Sequence, residues 1–241
     1  MLQQSRGIVL HTLRYGDEAL IAHILTEASG CQSFMVRMSH SRRKPSPHVL
    51  MQPLALLDLS WEEKARASIH RPKSVAVGTP LVSIPFDPHK TSIALFLSEF
   101  LHHALRAEPS SPGLFDYLYH SVLWLDAARS DFANFHLVFL LRLTRFLGLF
   151  PEVDAATVGG YFDLEACTFA AKPPLHGHFL EPQDTARLPL LLRMRYETMH
   201  LFRLSGRERN RFLQLLNDYY RLHCPGFPEL KSLSVLREVF A

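Results

Sequence analysis

Apolar and polar positions alternate in short runs through the first 80 residues, which is the pattern of β-strands. The runs end at turn signals such as Tyr15-Gly16-Asp17 and Ser29-Gly30. Pro53 interrupts the longest run and, because proline lacks a backbone N–H, it indicates a bulge or a sheet edge. The predicted strands cover residues 8–14, 19–26, 31–38 and 49–61, with 66–70 and 74–82 completing the set. About five short strands in this length predict a small barrel.

The remainder of the chain shows apolar positions every three or four residues, which is the period of an α-helix. Ser205 and Glu208 have the spacing of a capping box, which predicts a helix start. The predicted helices include 92–105, 114–125, a nearly all-apolar one over 133–149, and a short last one over 230–240. The fold class is therefore α+β. We predict a five-stranded barrel domain over 1–80 and a helical domain over 81–241, with a small irregular insert at about 152–182 containing one or two short strands.

Composition narrows the class of protein. The chain has 241 residues, 47% of them hydrophobic, which is enough for a sizeable core and excludes an intrinsically disordered protein. No apolar run approaches the roughly 18 residues of a membrane span, and Arg6, His11 and Arg14 interrupt the N-terminus where a signal peptide would be apolar. The three cysteines are widely spaced, which is typical of reduced thiols. The sequence therefore predicts a soluble cytoplasmic protein without a membrane partner.

Motifs for enzyme chemistry are missing from the sequence. It contains no glycine-rich phosphate loop, no nucleophile elbow and no paired-carboxylate motif, so we predict a protein that is not an enzyme and has no cofactor. His102 and His103 fall late in a predicted helix, where histidine is favourable. Cys167, His176 and His178 are the best metal candidates, but a structural zinc site needs four ligands in two close pairs. We therefore predict no bound metal.

Positive charge is concentrated near the N-terminus. Residues 1–75 carry ten Lys or Arg and six Asp or Glu, a net charge of +4, whereas the net charge of the whole chain is +3. No acidic residue occurs in 28–57, a window that contains Arg37, Arg42, Arg43 and Lys44. Such a stretch beside a barrel strand favours contact with a polyanion, although a solvated loop is the alternative.

Two further residues complete the candidate DNA-binding set. Arg14 ends the first predicted strand, and Phe34 precedes the basic stretch, where an aromatic ring could stack on bases. Phe34 alternates with Val36, however, so its ring could instead point into the barrel.

Arginines also stand out in the helical half. Arg142 and Arg145 interrupt the nearly all-apolar helix, so each must form an ion pair, with an acid such as Asp116 or Asp126, or open onto a groove. A second group of arginines allows two interpretations. We slightly favour surface residues whose apolar stems lie on the protein while their charges reach solvent. The alternative is a second site for a polyanion or an acidic peptide. That group comprises Arg187, Arg193, Arg195, Arg203, Arg207, Arg209 and Arg211.

Four segments in order resemble the bacterial RecO family of DNA repair and recombination proteins. The family's first hairpin resembles RGIVLHTLRYGDEALIAHILTEASG, and its next strand resembles MQPLALLDLSW. Its central helix resembles NFHLVFLLRLTRFLGLFP, and its last helix resembles LKSLSVLREVF. The resemblance implies an N-terminal OB-fold, a helical bundle and a small insert. Many members carry four cysteines for zinc in that insert, whereas EVDAATVGGYFDLEACTFAAKPPL offers only Cys167. The insert is therefore expected to fold without metal.

The resemblance also implies a function. Members are not enzymes. They bind single- and double-stranded DNA, anneal complementary strands, work with RecR, and help load the strand-exchange recombinase onto DNA coated by single-strand-binding protein. Some dock the acidic, Phe-terminated C-terminal tail of that coating protein in the helical domain, a role that would suit Arg142 and Arg145. The expected location is the nucleoid. A general OB-fold RNA-binding protein and a non-catalytic protein-interaction module are the alternatives.

Overall fold

The computed structural model describes residues 1–37, 47–63, 67–151 and 160–240. The chain divides into two compact units. The first comprises residues 1–127 together with 229–239, and the second comprises 128–228 together with 240–241. No helix in these described ranges is long and apolar enough to cross a membrane.

Five antiparallel strands in the order β3-β2-β1-β4-β5 form the barrel of the first unit. Their bounds are β1 Leu2–Tyr15, β2 Ala19–Thr26, β3 Gly30–Arg37, β4 Leu56–Glu62 and β5 Pro72–Thr79. The barrel closes where His70, just before β5, forms a parallel bridge to Phe34. The His70 N–H donates to the Ser33 carbonyl, and the Met35 N–H donates to the His70 carbonyl, both at 2.8 Å. This confirms the prediction of a five-stranded OB-fold barrel.

Alternation along the strands fills the barrel. Phe34 and Val36 both point inward, and the Phe34 ring meets the edge of Trp61 at a centroid distance of 5.3 Å. Gly7 lies where a Cβ atom would be 2.8 Å from the side chains of Ile24 and Leu59. The absence of a side chain at that position therefore allows β1, β2 and β4 to pack closely.

Strand β4 is shorter than the predicted run over 49–61. Residues Pro47–Leu50 form a 3-10 turn, and the strand begins only at Leu56. Between them, Pro53 lacks an N–H and Leu54 has a φ of 60°, which an extended strand cannot contain. The Leu54 N–H instead donates to the carbonyl of Val9.

Three helices complete the first unit: α1 Pro88–Ala104, α2 Pro112–Ala127 and α7 Ser232–Val239. Asp87 caps α1 by accepting hydrogen bonds from the N–H groups of the first turn. Ser98 on α1 donates to the Leu10 carbonyl of β1 at 2.8 Å, and Asp126 of α2 accepts from three successive N–H groups at residues 82–84. The chain changes from strands to helices near residue 80. The boundary between the two compact units nevertheless lies after Ala127, because α1 and α2 belong to the same unit as the barrel.

The second unit contains α3 Phe135–Phe146, α4 Pro182–Thr185, α5 Leu188–Arg193 and α6 Gly206–His223. The capping box of Ser205 and Glu208 begins α6, as its spacing predicts. Tyr220 on α6 is buried and donates its hydroxyl to the Leu140 carbonyl of α3 at 2.8 Å. This buried hydrogen bond joins the two longest helices of the unit.

The insert is more regular than the predicted one or two strands. It is a three-stranded sheet in the order β7-β6-β8, with β6 Tyr161–Asp163, β7 Thr168–Ala170 and β8 Phe179–Leu180. Phe162, Leu164 and Leu180 bury their side chains against Leu188 and Tyr219. The insert therefore shares the apolar core of the second unit.

Candidate nucleic-acid interface

One end of the barrel carries the two described cations of the predicted DNA-binding set. Ala19 of β2 pairs with Tyr15 on one side and with Arg37 on the other. Residues paired across strands share a face of the sheet, and each strand spacing is about 4.8 Å, so the backbones of Tyr15 and Arg37 lie about 10 Å apart on the outer face. Arg14 is one position back and pairs with Leu20 of the barrel core, so it lies on the opposite face of β1 from Tyr15, exposed at the end of the strand.

These side chains are exposed. Tyr15 is 56% exposed, and Arg14 and Arg37 are exposed as well. In the described part of the chain, neither arginine has a carboxylate oxygen within 4.0 Å. The turn after β1 also brings Asp17 and Glu18 to this end, so the local field is less positive than the window over 28–57 indicates. The arrangement offers two free guanidinium groups and one ring to an extended polyanion.

Arg6 shows what a paired arginine looks like in the same unit. Its guanidinium donates two hydrogen bonds to Glu27, at 2.7 and 2.8 Å, and a third to Asp116 at 3.1 Å. Hydrogen bonding to Arg6 holds the pKa of Glu27 below its usual value. Asp116 is therefore occupied and is not the partner of Arg142 or Arg145.

Phe34 is not available for base stacking. Its side chain is 0% exposed, since it fills the barrel between β2 and the closing His70. The prediction that Phe34 contacts DNA is wrong for this reason, and the alternative given by its alternation with Val36 is correct. Tyr15 is the exposed ring at that end of the sheet.

Arg42, Arg43 and Lys44 lie outside the described residues. Their assignment as phosphate contacts remains a prediction from the sequence.

Three arginines of the second basic group make local contacts. Arg187 pairs with Glu208 at 2.5 Å, Arg211 holds Asp184 through both carboxylate oxygens, and Arg209 donates to Asn134 and to the Leu204 carbonyl. Among the described residues, four others are exposed without an ion pair: Arg193, Arg195, Arg203 and Arg207. Part of this group therefore makes structural contacts, and the choice between snorkelling surface residues and a binding site stays open for the others.

Arg142 and Arg145 lie over aromatic rings. The Arg142 guanidinium is 5.7 Å from the centroid of Tyr196, and that of Arg145 is 3.8 Å from the centroid of Phe150. Neither has a carboxylate within ion-pair distance in the ranges that the structure describes. Asp126 accepts hydrogen bonds from three backbone N–H groups of its own unit.

An apolar pocket opens in the second unit beside the same helix. Leu137, Leu141 and Thr144 of α3 line it together with α5, α6 and the insert, around about 580 Å³ of space that includes solvent at the mouth. Asp184 is the charged residue in the lining, and Arg211 neutralises it. Arg142 and Arg145 are not lining residues. Each directly follows one, so its side chain is turned by about 100° from that lining residue around α3.

Four histidines form a cluster that the sequence did not reveal. The His102 ring on α1 lies 4.7 Å from the rings of both His11 and His23, and 4.8 Å from that of His103. Burial, and then the neighbouring imidazoles, lowers the pKa of His102 to about 3. His102 is therefore held as a neutral group between the barrel and α1.

The cysteine and the histidines of the insert are held by different neighbours. Cys167 Sγ lies 2.9 Å from the Tyr219 hydroxyl and 3.6 Å from His223 Nε2, whereas His176 and His178 contact acidic side chains. The chain's other cysteines, Cys31 and Cys224, are thiols that lie in the first and second units respectively. The donors therefore do not fit a four-cysteine zinc site.

Comparison with known proteins agrees with this architecture. Residues 1–78 match the family model described as "Recombination protein O N terminal", and residues 85–234 match "Recombination protein O C terminal". The barrel and the helical part each correspond to one of these two models. Together they define the class of protein as a bacterial recombination and repair protein.

Full-length relatives are similar along the whole chain. The DNA repair protein RecO of Bacteroides fragilis is 49% identical over 241 residues, and that of Phocaeicola vulgatus is 48% identical over 241 residues. The RecO protein of Porphyromonas gingivalis is 36% identical over 244 residues. Each alignment covers 100% of both chains. The chain belongs to the RecO family, whose names describe DNA repair proteins rather than enzymes, in agreement with the prediction of a protein that is not an enzyme.

Proposed function

We propose that this chain is a recombination mediator that binds single- and double-stranded DNA and anneals complementary strands. In this role it works with RecR at the nucleoid and helps load the strand-exchange recombinase onto DNA coated by single-strand-binding protein. The observation that carries the proposal is the end of the OB-fold barrel in a RecO-family chain. There, among the described residues, Arg14 and Arg37 are exposed with no carboxylate at ion-pair distance, and the ring of Tyr15 is exposed at the same end.

The DNA site continues from Arg37 into the basic stretch of Arg42, Arg43 and Lys44. Cations along a strand and the segment after it can neutralise successive phosphates of a flexible single strand. Stacking of a base on an exposed aromatic ring adds about 1–3 kcal/mol without selecting a sequence. Tyr15 supplies this ring, and the resulting site is non-specific and dependent on salt.

The helical unit receives the acidic tail of the coating protein. The pocket beside α3 is apolar enough to take a phenylalanine ring, and its acid, Asp184, is already paired. Arg142 and Arg145 lie on the same helix, each one position after a residue that lines the pocket, and have no ion pair among the described residues. Guanidinium groups bind carboxylates with two parallel hydrogen bonds, so these arginines bind the acidic residues and the terminal carboxylate.

Annealing assays with naked and coated strands test both parts. The double variant Arg142→Ala, Arg145→Ala should anneal naked complementary strands as wild type does. It should lose most of the ability to anneal strands coated by single-strand-binding protein, and should bind the tail peptide at least about tenfold more weakly. The exposed pair Arg203→Ala, Arg207→Ala is the matched control and should change neither property.

A loss of naked-strand annealing with unchanged peptide binding would reverse the assignment of the arginines on α3. The general RNA-binding alternative predicts tighter binding to RNA than to DNA of the same sequence, because such proteins contact the 2′-hydroxyl.

A further inference from the structure

The three-stranded sheet of the insert brings together a set of polar side chains that the proposed function does not use. Glu165 lies in the loop between β6 and β7, and His176 and His178 lie just before β8. One ligand atom from each residue lies within 4.8 Å of the others. We propose that Glu165, His176 and His178 bind a divalent transition-metal ion.

The chemistry of the three donors suits such an ion. Two imidazole nitrogens and one carboxylate oxygen are ligands that Zn²⁺ accepts, and Co²⁺ and Ni²⁺ accept similar sets. Three protein ligands also leave a position for water or another exogenous ligand, which is typical of open sites.

The distances between the donors are close to those that an ion requires. Ligand atoms at about 2.0–2.2 Å from a tetrahedral ion lie about 3.3–3.6 Å from one another. Glu165 Oε1 lies 2.7 Å from His178 Nδ1 and 3.7 Å from His176 Nδ1. These two separations fall on either side of the required value, and the ligand atoms of the two histidines lie within 4.8 Å of each other, so the side chains need to move by about 1 Å. The ion replaces the proton that now joins Glu165 and His178.

Asp163 orients the first histidine for this role. Its Oδ2 lies 3.2 Å from His176 Nε2, so the Nε2–H donates to Asp163 and the lone pair is left on Nδ1. That lone pair now accepts the His178 backbone N–H at 3.2 Å, and the ion replaces this hydrogen bond when it binds. A carboxylate behind a ligating histidine fixes its tautomer and raises its affinity for metal. Asp163 is therefore a positioning residue.

The backbone of the insert holds the donors in place. Asp163 Oδ1 accepts the N–H groups of Glu165 and Ala166 at 2.8 and 3.0 Å, which fixes the loop that carries the carboxylate. The Leu164 N–H donates to the His178 carbonyl at 3.0 Å, which fixes the second histidine beside the same loop. The three donors are thus attached to one hydrogen-bonded sheet, and little ordering is required when an ion binds.

Titration of the chelator-treated full chain with Zn²⁺ or Co²⁺ alone, in competition with a chromophoric chelator, tests this site. Wild type should bind one ion per chain in the tightest step. Glu165→Gln and His178→Gln should each weaken that step by at least about tenfold. His200→Gln removes another exposed histidine of the second unit and is the matched control, since the chain contains 14 histidines.

The positioning role of Asp163 is tested by Asp163→Asn. The amide oxygen can still accept the loop N–H groups, but the amide nitrogen cannot accept a proton from His176. Zn²⁺ affinity should fall by about 10–100-fold, the visible absorption of bound Co²⁺ should change, and the metal-free melting temperature should stay as in wild type. Equal affinity in wild type and the Glu165 and His178 variants, or no stoichiometric step in wild type, would overturn the proposal.

Discussion

His136 is the group whose burial gives the clearest prediction of pH-dependent stability. It lies in the first turn of α3, its side chain is 1% exposed, and its Nδ1 atom has no hydrogen-bond partner among the described residues. Burial, assisted by the positive charge of Arg209, lowers the pKa of His136 from 6.5 to about 3. The folded chain therefore holds this imidazole in its neutral form at pH 7.

The sign and size of the effect follow from proton linkage. Between pH 6.5 and 3 the unfolded state binds a proton at His136 that the folded state does not bind, so the free energy of unfolding falls as the pH is lowered. Between these limits, each decrease of one pH unit lowers the free energy of unfolding by about 1.4 kcal/mol. Lowering the pH from 7 to 4.5 should therefore remove about 2.7 kcal/mol through His136 alone.

Urea denaturation of wild type and His136→Leu at pH 7 and pH 4.5, followed by circular dichroism, measures this contribution. The other titrating groups, including His102, are common to both proteins, so the difference between the two pH-dependent losses isolates His136. The variant should lose about 2.7 kcal/mol less than wild type on acidification, whatever its stability at pH 7. Equal losses would refute a neutral, buried imidazole, and His200→Leu, at an exposed position, should show the wild-type loss.

Two substitution pairs each compare a closely packed barrel position with an exposed position of the chain. Phe34→Ala should lower the free energy of unfolding by about 3–5 kcal/mol. Tyr15→Ala should change that free energy by no more than about 0.5 kcal/mol and should weaken single-stranded DNA binding by about 1–3 kcal/mol. A stable Phe34→Ala protein that is deficient in DNA binding would contradict this. Gly7→Ala places a methyl group 2.8 Å from the Ile24 side chain and should cost at least about 1 kcal/mol in urea denaturation, while Gly177→Ala, with no atom within 4 Å, should be nearly neutral.

The sequence predicted those turns and helix starts that depend on residues close together in the chain. Gly16 and Gly30, both with a φ of 67°, mark the two hairpin turns of the barrel, and the Ser205 capping box marks the start of α6. The late start of β4 was missed because the left-handed conformation of Leu54 depends on pairing with β1. Strand β8 has two residues and exists through pairing with β6, so its own sequence carries too little pattern.

The candidate sites depend on contacts between distant residues, and these were harder to predict. Charge counting singled out Arg37, which is exposed, but it overlooked the turn that brings Asp17 to the same end of the barrel. His11 and His102 are 91 positions apart in the chain, but their rings are in contact in the histidine cluster. The spacing of hydrophobic residues in a strand or a helix cannot indicate such a distant contact. In the insert, the histidines lie beside Glu165 and not beside Cys167, because β8 pairs with β6 and sets the neighbours of His178.

Binding of labelled single-stranded DNA across a salt series tests the DNA-binding proposal most directly. Each phosphate neutralised on a single strand contributes about 0.7 to the slope of log affinity against log salt, so four contacts contribute about 3. The variant with Arg37, Arg42, Arg43 and Lys44 changed to Ala should flatten the slope by up to that amount and weaken binding equally for all sequences. The control variant, with Arg193, Arg195, Arg203 and Arg207 changed to Ala, should keep the wild-type slope. An unchanged slope in the folded barrel variant would contradict the proposed site, and a flattened slope in the control would move it to the second unit.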